Sequence, residues 1–211
     1  GGIAMNFVKL NLNDIEEILQ LQDSIYEFLE QKEVLQKLTR KEFEACLEQG
    51  YVTGVFNEGE LIALRMMYIP SLTEEEHLAD DVGVNRERSI YSEISLVNPA
   101  HRGQKLQMKM GEFLIEQVRE SGDFDYIFST VMPANLASLK DKFKLGFKIM
   151  RTRLKYGGKR RHILYLPLNE EITVTGEALN IKFDNYDWMM NAGQDYIGNS
   201  LQGEFIEYYK K

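Results

Sequence analysis

An apolar strand that runs directly into a basic, glycine-containing turn and then into an amphipathic helix narrows the folds open to this chain more than any other feature. The strand reads Ile90-Tyr91-Ser92-Glu93-Ile94-Ser95-Leu96-Val97, and Pro99 ends it because proline cannot donate to a ladder. After the turn Ala100-His101-Arg102-Gly103-Gln104-Lys105, the residues Leu106, Met110, Phe113, Leu114 and Val118 recur at helical spacing until Ser121-Gly122. The first N–H groups of such a helix have no intrahelical partner and carry the positive end of its dipole, so the turn is suited to hold a phosphate. The order returns downstream: the strand Tyr126 to Val131, a break at Pro133, then a helix from Asn135 to Phe147. There Asn135 is placed to cap, Leu136, Leu139 and Phe143 form an apolar stripe, and Gly146 supplies a left-handed C-terminal residue. Neither the Walker pattern Gly-x-x-x-x-Gly-Lys-Ser/Thr nor the dinucleotide pattern Gly-x-Gly-x-x-Gly is present, which disfavours a plain nucleotide-binding protein.

The remaining elements follow from periodicity. A short strand from Phe7 to Leu10 leads to Asn13, whose side chain is placed to cap a helix with Glu16, and Ile15, Ile18, Leu19, Ile25 and Leu29 mark that helix's inner face. A second helix opens at Thr39 with Glu42 as capping-box partner and closes at Gly50. Tyr51 to Phe56 and Leu61 to Ile69 read as a hairpin through Asn57-Glu58-Gly59-Glu60, and Phe147 to Leu154 pairs with Arg161 to Leu166 through Tyr156-Gly157-Gly158. With 211 residues, 44% of them hydrophobic, the chain can bury a sizeable core. Cys46, the single cysteine, excludes an internal disulfide and sits between Phe43 and Leu47 as a core thiol; a cytoplasmic location is expected. The three histidines show no metal-ligand spacing, so no metal is expected, and no apolar run is long enough to span a membrane. Gly1 to Ala4 ahead of Met5 reads as an expression remnant.

The turn at Arg102-Gly103 and the segment from Asn135 to Gly146-Phe147 together resemble the two cofactor motifs of the GNAT superfamily of acyl-CoA-dependent N-acetyltransferases, over residues 6–168. The resemblance implies an α/β (α+β) fold, a central mixed but mostly antiparallel sheet flanked by helices, with residues 169–211 as a C-terminal extension. It implies acetyl-CoA as co-substrate, held by Leu96 and Val97 at the strand end, by Arg102, Gly103, Gln104, Lys105, Leu106 and Gln107 in the turn and helix start, and by Asn135, Ser138 and Lys142 in the second motif. Of the first motif's signature positions only Gly103 is kept: Ala100 stands where the family prefers Gln or Arg, and Lys105 where it prefers a small residue. Lys142 occupies the place where many members carry the Tyr that protonates the departing thiolate.

Charge fits this assignment. The chain carries a net −8, which argues against a nucleic-acid partner, yet residues 101–161 hold 14 basic and 6 acidic residues. Such a patch suits a diphosphate, although solvated helix faces also account for it. On the central strand Glu93 is the candidate general base, with Ser95 and Val97 on its face and the Val97 N–H as oxyanion donor; pairing with Arg65 is the competing structural role. Water is the expected proton source in place of the missing acid, and Tyr91 or Tyr165 substitutes only if the fold brings it near. The stretch Pro70 to Ser89 reads as a long loop whose Glu74, Glu75, Glu76, Asp80 and Asp81 would attract a cationic amine. The aromatic tail around Tyr186, Trp188, Tyr196, Phe205, Tyr208 and Tyr209 either closes the acceptor cleft or packs at a homodimer contact. The leading function is transfer of acetyl from acetyl-CoA to a primary amine of a small molecule or peptide; the alternative is a CoA-binding module without catalysis.

Overall fold

The structure, a computed structural model, describes residues 6–211 (for Val34 the backbone only); the remnant read at Gly1 to Met5 lies outside the described residues. In chain order the elements are β1 (Phe7–Lys9), α1 (Ile15–Phe28), α2 (Arg40–Gln49), β2 (Val52–Asn57), β3 (Glu60–Tyr68), α3 (Leu78–Val82) and β4 (Ser89–Val97). They continue with α4 (Leu106–Ser121), β5 (Tyr126–Val131), α5 (Leu136–Lys144), β6 (Lys148–Lys155), β7 (Lys159–Pro167), β8 (Leu179–Lys182), α6 (Tyr186–Met190), β9 (Tyr196–Gln202) and β10 (Phe205–Lys210). The chain forms two compact units, one from the segment up to Ile69 with Ser92–Ser121, the other from Pro70–Tyr91 with Gly122–Lys211.

In the first unit β2 pairs antiparallel with β1 and β3. The β2–β3 turn is a two-residue loop in which Glu58 (φ 52°) and Gly59 (φ 80°) are both left-handed, the geometry that matches strand twist. One face of this sheet packs Leu64, Met66 and Leu96 against Ile18, Leu21 and Ile25 of α1 and Phe43, Cys46 and Leu47 of α2. The other face packs Val55, Ala63 and Val97 against Leu106 and Met110 of α4. Both faces of β3 are covered, which is why its sequence is a near-continuous apolar run. The Thr39/Glu42 capping box and the left-handed Gly50 (φ 91°) bound α2 as expected. The cap ahead of α1 differs from the sequence reading. Asn11, not Asn13, accepts from the Asn13 N–H, and Asp14 returns a bond to the Asn11 N–H. Two overlapping capping patterns lie two residues apart, and the chain takes the one nearer the end of β1.

In the second unit Ser89–Tyr91 of β4 pairs in parallel with Tyr126–Phe128 of β5. β5–β7, β7–β6, β6–β9, β9–β10 and β10–β8 are all antiparallel. The tail is therefore a three-stranded antiparallel addition to the β6 edge, and Gly198 makes the junction possible because a Cβ there would lie 2.8 Å from Ile149 Cβ. Trp188 packs edge-on to Tyr208 and tilted against Tyr196. The Pro70 to Ser89 stretch is not the structureless loop read from the sequence: α3 buries Leu78 and Ala79 against Tyr91, Phe128, Ile163 and Tyr165. Five helical residues are too few for periodicity to reveal. Among the described residues no helix is long and apolar enough to cross a membrane.

Candidate active site

The first unit holds the base candidate and the whole turn. Side chains alternate at the end of β4: Leu96 is buried against the α1 and α2 layer, while Val97 packs on Leu106 and Met110. Val97 and the start of α4 are thus locked together by one apolar contact set, while Leu96 is only 2% exposed. Asn98 donates to the Ile62 carbonyl at 2.7 Å and its side chain accepts from the Ala100 N–H at 2.9 Å, so the chain turns sharply over Pro99–His101. Gly103 (φ 85°) and Lys105 (φ 58°) are then both left-handed. A Cβ on Gly103 would meet nothing within 4 Å, so the glycine is required for its backbone conformation rather than for packing. The preference for a small residue at the position of Lys105 has the same cause, since lysine adopts a left-handed backbone only with strain.

The first helical bond of α4 runs from the Lys109 N–H to the Lys105 carbonyl at 3.1 Å, which leaves the N–H groups of Leu106, Gln107 and Met108 without intrahelical acceptors. Arg65, only 2% exposed on β3, donates to the Gln107 carbonyl at 2.9 Å and so anchors this helix start. A lone arginine within Leu61 to Met67 is the sequence signal for such an anchor. Arg102, Gly103, Gln104 and Lys105 are exposed, and the Arg102 guanidinium lies 5.8 Å from the Phe28 ring centre at the end of α1.

Glu93 is exposed on β4, and Ser95 carries a buried hydroxyl with no hydrogen-bond partner. Burial pushes the Cys46 thiol up to about 12, with the charges of Glu93 and Glu42 adding to the effect. Cys46 is therefore an inert core thiol.

The second unit holds the other predicted residues on α5. The Asn135 side chain accepts from the Ser138 N–H at 3.0 Å and caps the helix, and Gly146 (φ 100°) ends it. Lys142 is buried and ion-paired with Asp141 at 3.3 Å, each side chain 10% exposed, so its charge is already matched. The two tyrosines considered as acids belong to the core of this unit. The Tyr91 hydroxyl donates to Glu74 and accepts from the Leu78 N–H, both at 2.8 Å, and the Tyr165 hydroxyl donates to Glu170 at 3.3 Å. Burial raises both phenols well above the ordinary tyrosine value.

The acidic stretch is likewise engaged. The Asp81 side chain, 2% exposed, is bound by Arg153 at 2.8 Å and Lys155 at 2.7 Å; Arg86 binds Asp80, and Glu76 accepts from the Tyr156 N–H at 2.9 Å. Asp81 and Glu76 thus fasten α3 to the end of β6, so their charge is not available to attract a cation.

No protein-family model and no curated protein matches the sequence. Solved structures do match: the ribosomal-protein-S18-alanine N-acetyltransferase from Escherichia coli is 17% identical with a TM-score of 0.57, over 84% of this chain and 99% of that one. An acetyltransferase of the GNAT family from Streptococcus pneumoniae is 15% identical with a TM-score of 0.57, over 77% of this chain and 98% of that one. This chain has the GNAT fold. Diaminobutyrate acetyltransferase from Paenibacillus lautus, solved with L-2,4-diaminobutyric acid and coenzyme A, adds a TM-score of 0.60 at 13% identity, covering 82% of this chain and all of that one. Identities this low carry the GNAT architecture and leave the chemistry to be argued from the residues.

Proposed function

We propose that the chain is an acetyl-CoA-dependent N-acetyltransferase acting on a primary amine of a small molecule or peptide. The observation that carries this reading is the turn with left-handed Gly103 and Lys105 opening α4 in a chain of GNAT fold, because it presents unpaired N–H groups at an exposed helix start. Acetyl-CoA supplies the activated acetyl group. The amides from Gly103 to Gln107 hold its diphosphate, with the Arg102 and Lys105 side chains adding charge, and Arg65 positions them through Gln107. Glu93 takes the proton of the attacking amine, and the Val97 N–H stabilises charge developing on the carbonyl oxygen. Lys142 stands at the place of the family's tyrosine and the hydroxyls of Tyr91 and Tyr165 are engaged, so solvent protonates the thiolate.

The matched structures are named for a ribosomal-protein alanine and for diaminobutyrate, which supports an amine of either kind as the acceptor class. Thiol release from acetyl-CoA, followed across a panel of small-molecule and peptide amines, tests the proposal. Release that at least one amine accelerates is the expected outcome. Release unaffected by every amine, from a protein that does not bind acetyl-CoA, would contradict it.

A further inference from the structure

Beside α3 in the second unit lies a small cleft whose lining includes His77, Asp81, Arg151, Arg153 and Lys155. The three cations occupy alternate positions of β6 and so share one face of the strand. Two of them satisfy Asp81: Arg153 binds one of its oxygens and Lys155 the other, at 2.8 and 2.7 Å. Arg151 is the least closely held of the three, in a long ion pair with the same carboxylate. Its nearest approach to Asp81 is 3.6 Å, beyond hydrogen-bond distance, its Nε is buried without a partner, and its side chain is 34% exposed.

His77 supplies a second unmatched donor in the same cleft. It is fully buried, and its Nδ1 accepts the Ala79 N–H at 3.1 Å as the cap of α3. Burial lowers its pKa, so the ring is neutral and its hydrogen sits on Nε2. That Nε2 has no partner in the protein. Two donors without acceptors, one of them inside a fully buried ring, call for an oxygen ligand. The cleft's charge limits which oxygen ligand fits. Asp81, Glu76 and Glu75 balance Arg151, Arg153 and Lys155, and Arg86 neutralises Asp80, so a dianion finds no surplus positive charge. A monoanion meets less repulsion from those four carboxylates than a dianion does, and Arg151 is the cation that Asp81 holds least closely.

We propose that this cleft binds a small carboxylate, with Arg151 as its charged donor and the His77 Nε2–H as its neutral one. Inorganic phosphate, the other common oxyanion, is the discriminating probe. Protein labelled with nitrogen-15 at histidine is titrated with sodium acetate and separately with sodium phosphate, ionic strength being held constant with chloride. Acetate is expected to shift the His77 imidazole signals saturably while His162 stays put, and Arg151→Gln to weaken that binding about tenfold, the size of one charge-assisted hydrogen bond. Unmoved His162 signals in Arg151→Gln report that the variant is folded. Arg151→Lys, which keeps the charge and loses the planar fork, is expected to fall between the two. No saturable shift with acetate, equal affinity in Arg151→Gln, or phosphate binding as tightly as acetate would each overturn the proposal. Acetyl-CoA is absent from the titration, so its outcome is independent of the acetyltransferase reading.

Discussion

Glu93 and His162 are two side chains whose chemistry turns on where the fold puts them. If Glu93 takes the amine proton, Glu93→Gln is expected to lower turnover by about 100-fold, the usual contribution of a general base, with acetyl-CoA affinity unchanged. Steady-state kinetics beside a binding titration check both halves, and unchanged turnover would return Glu93 to a structural role. His162 is fully buried on β7, its Nδ1 2.7 Å from the Thr152 hydroxyl, and burial lowers its pKa to about 3. Between pH 6.5 and 3 the unfolded chain binds a proton at this site that the folded chain does not, so stability falls as pH falls through that window. The expected loss is about 1.4 kcal/mol per pH unit. His162→Gln is expected to flatten that slope in denaturant titrations run at several pH values. Glu93 stood out in the sequence as a candidate because a carboxylate interrupts a largely apolar strand, and its role rests on that kinetic test. His162 was not: it follows Arg160-Arg161, and its burial is set by strand neighbours far away in sequence.

The turn into α4 and the ion cluster beneath α3 show what short elements add. Lys105 holds a left-handed backbone that glycine adopts freely, so Lys105→Gly is expected to keep acetyl-CoA affinity within about twofold, the turn geometry being preserved. Calorimetry measures this, and a large loss would mean that the lysine charge, not the amides, dominates binding. Asp81→Ala would leave the nearly inaccessible Lys155 ammonium without its carboxylate, and a cost of about 3 to 5 kcal/mol is expected in chemical denaturation, as for a broken buried pair. A cost below about 1 kcal/mol would show the cluster to be solvated. Caps and turns with a local code were readable in advance: Thr39 with Glu42, Gly50, the Asn57 to Glu60 hairpin, Asn135 and Gly146. What stayed hidden were contacts between segments distant in sequence. Asp81 looked free because its partners Arg153 and Lys155 lie more than seventy residues away.

At the scale of the molecule, the order of strands and helices was legible because two strand, turn and helix passages bracket the centre of the chain and hairpin codes lie on either side. The tail was read as a cover for the acceptor cleft or a homodimer contact; that it extends the β6 edge through Gly198 depends on a close backbone approach that no local pattern announces. If the concentration of basic residues between positions 101 and 161 serves acetyl-CoA, its affinity is expected to fall with salt, since exposed charges are screened beyond about 8 Å at physiological ionic strength. The central claim is that the turn at Gly103 holds acetyl-CoA through backbone amides. Calorimetric titration of acetyl-CoA into the wild type and Gly103→Val tests it most directly, because a β-branched residue cannot take up φ 85° without moving those amides. One saturable site in the wild type, weakened by salt and largely lost in Gly103→Val, is the expected result; equal affinity in the two proteins would contradict the account.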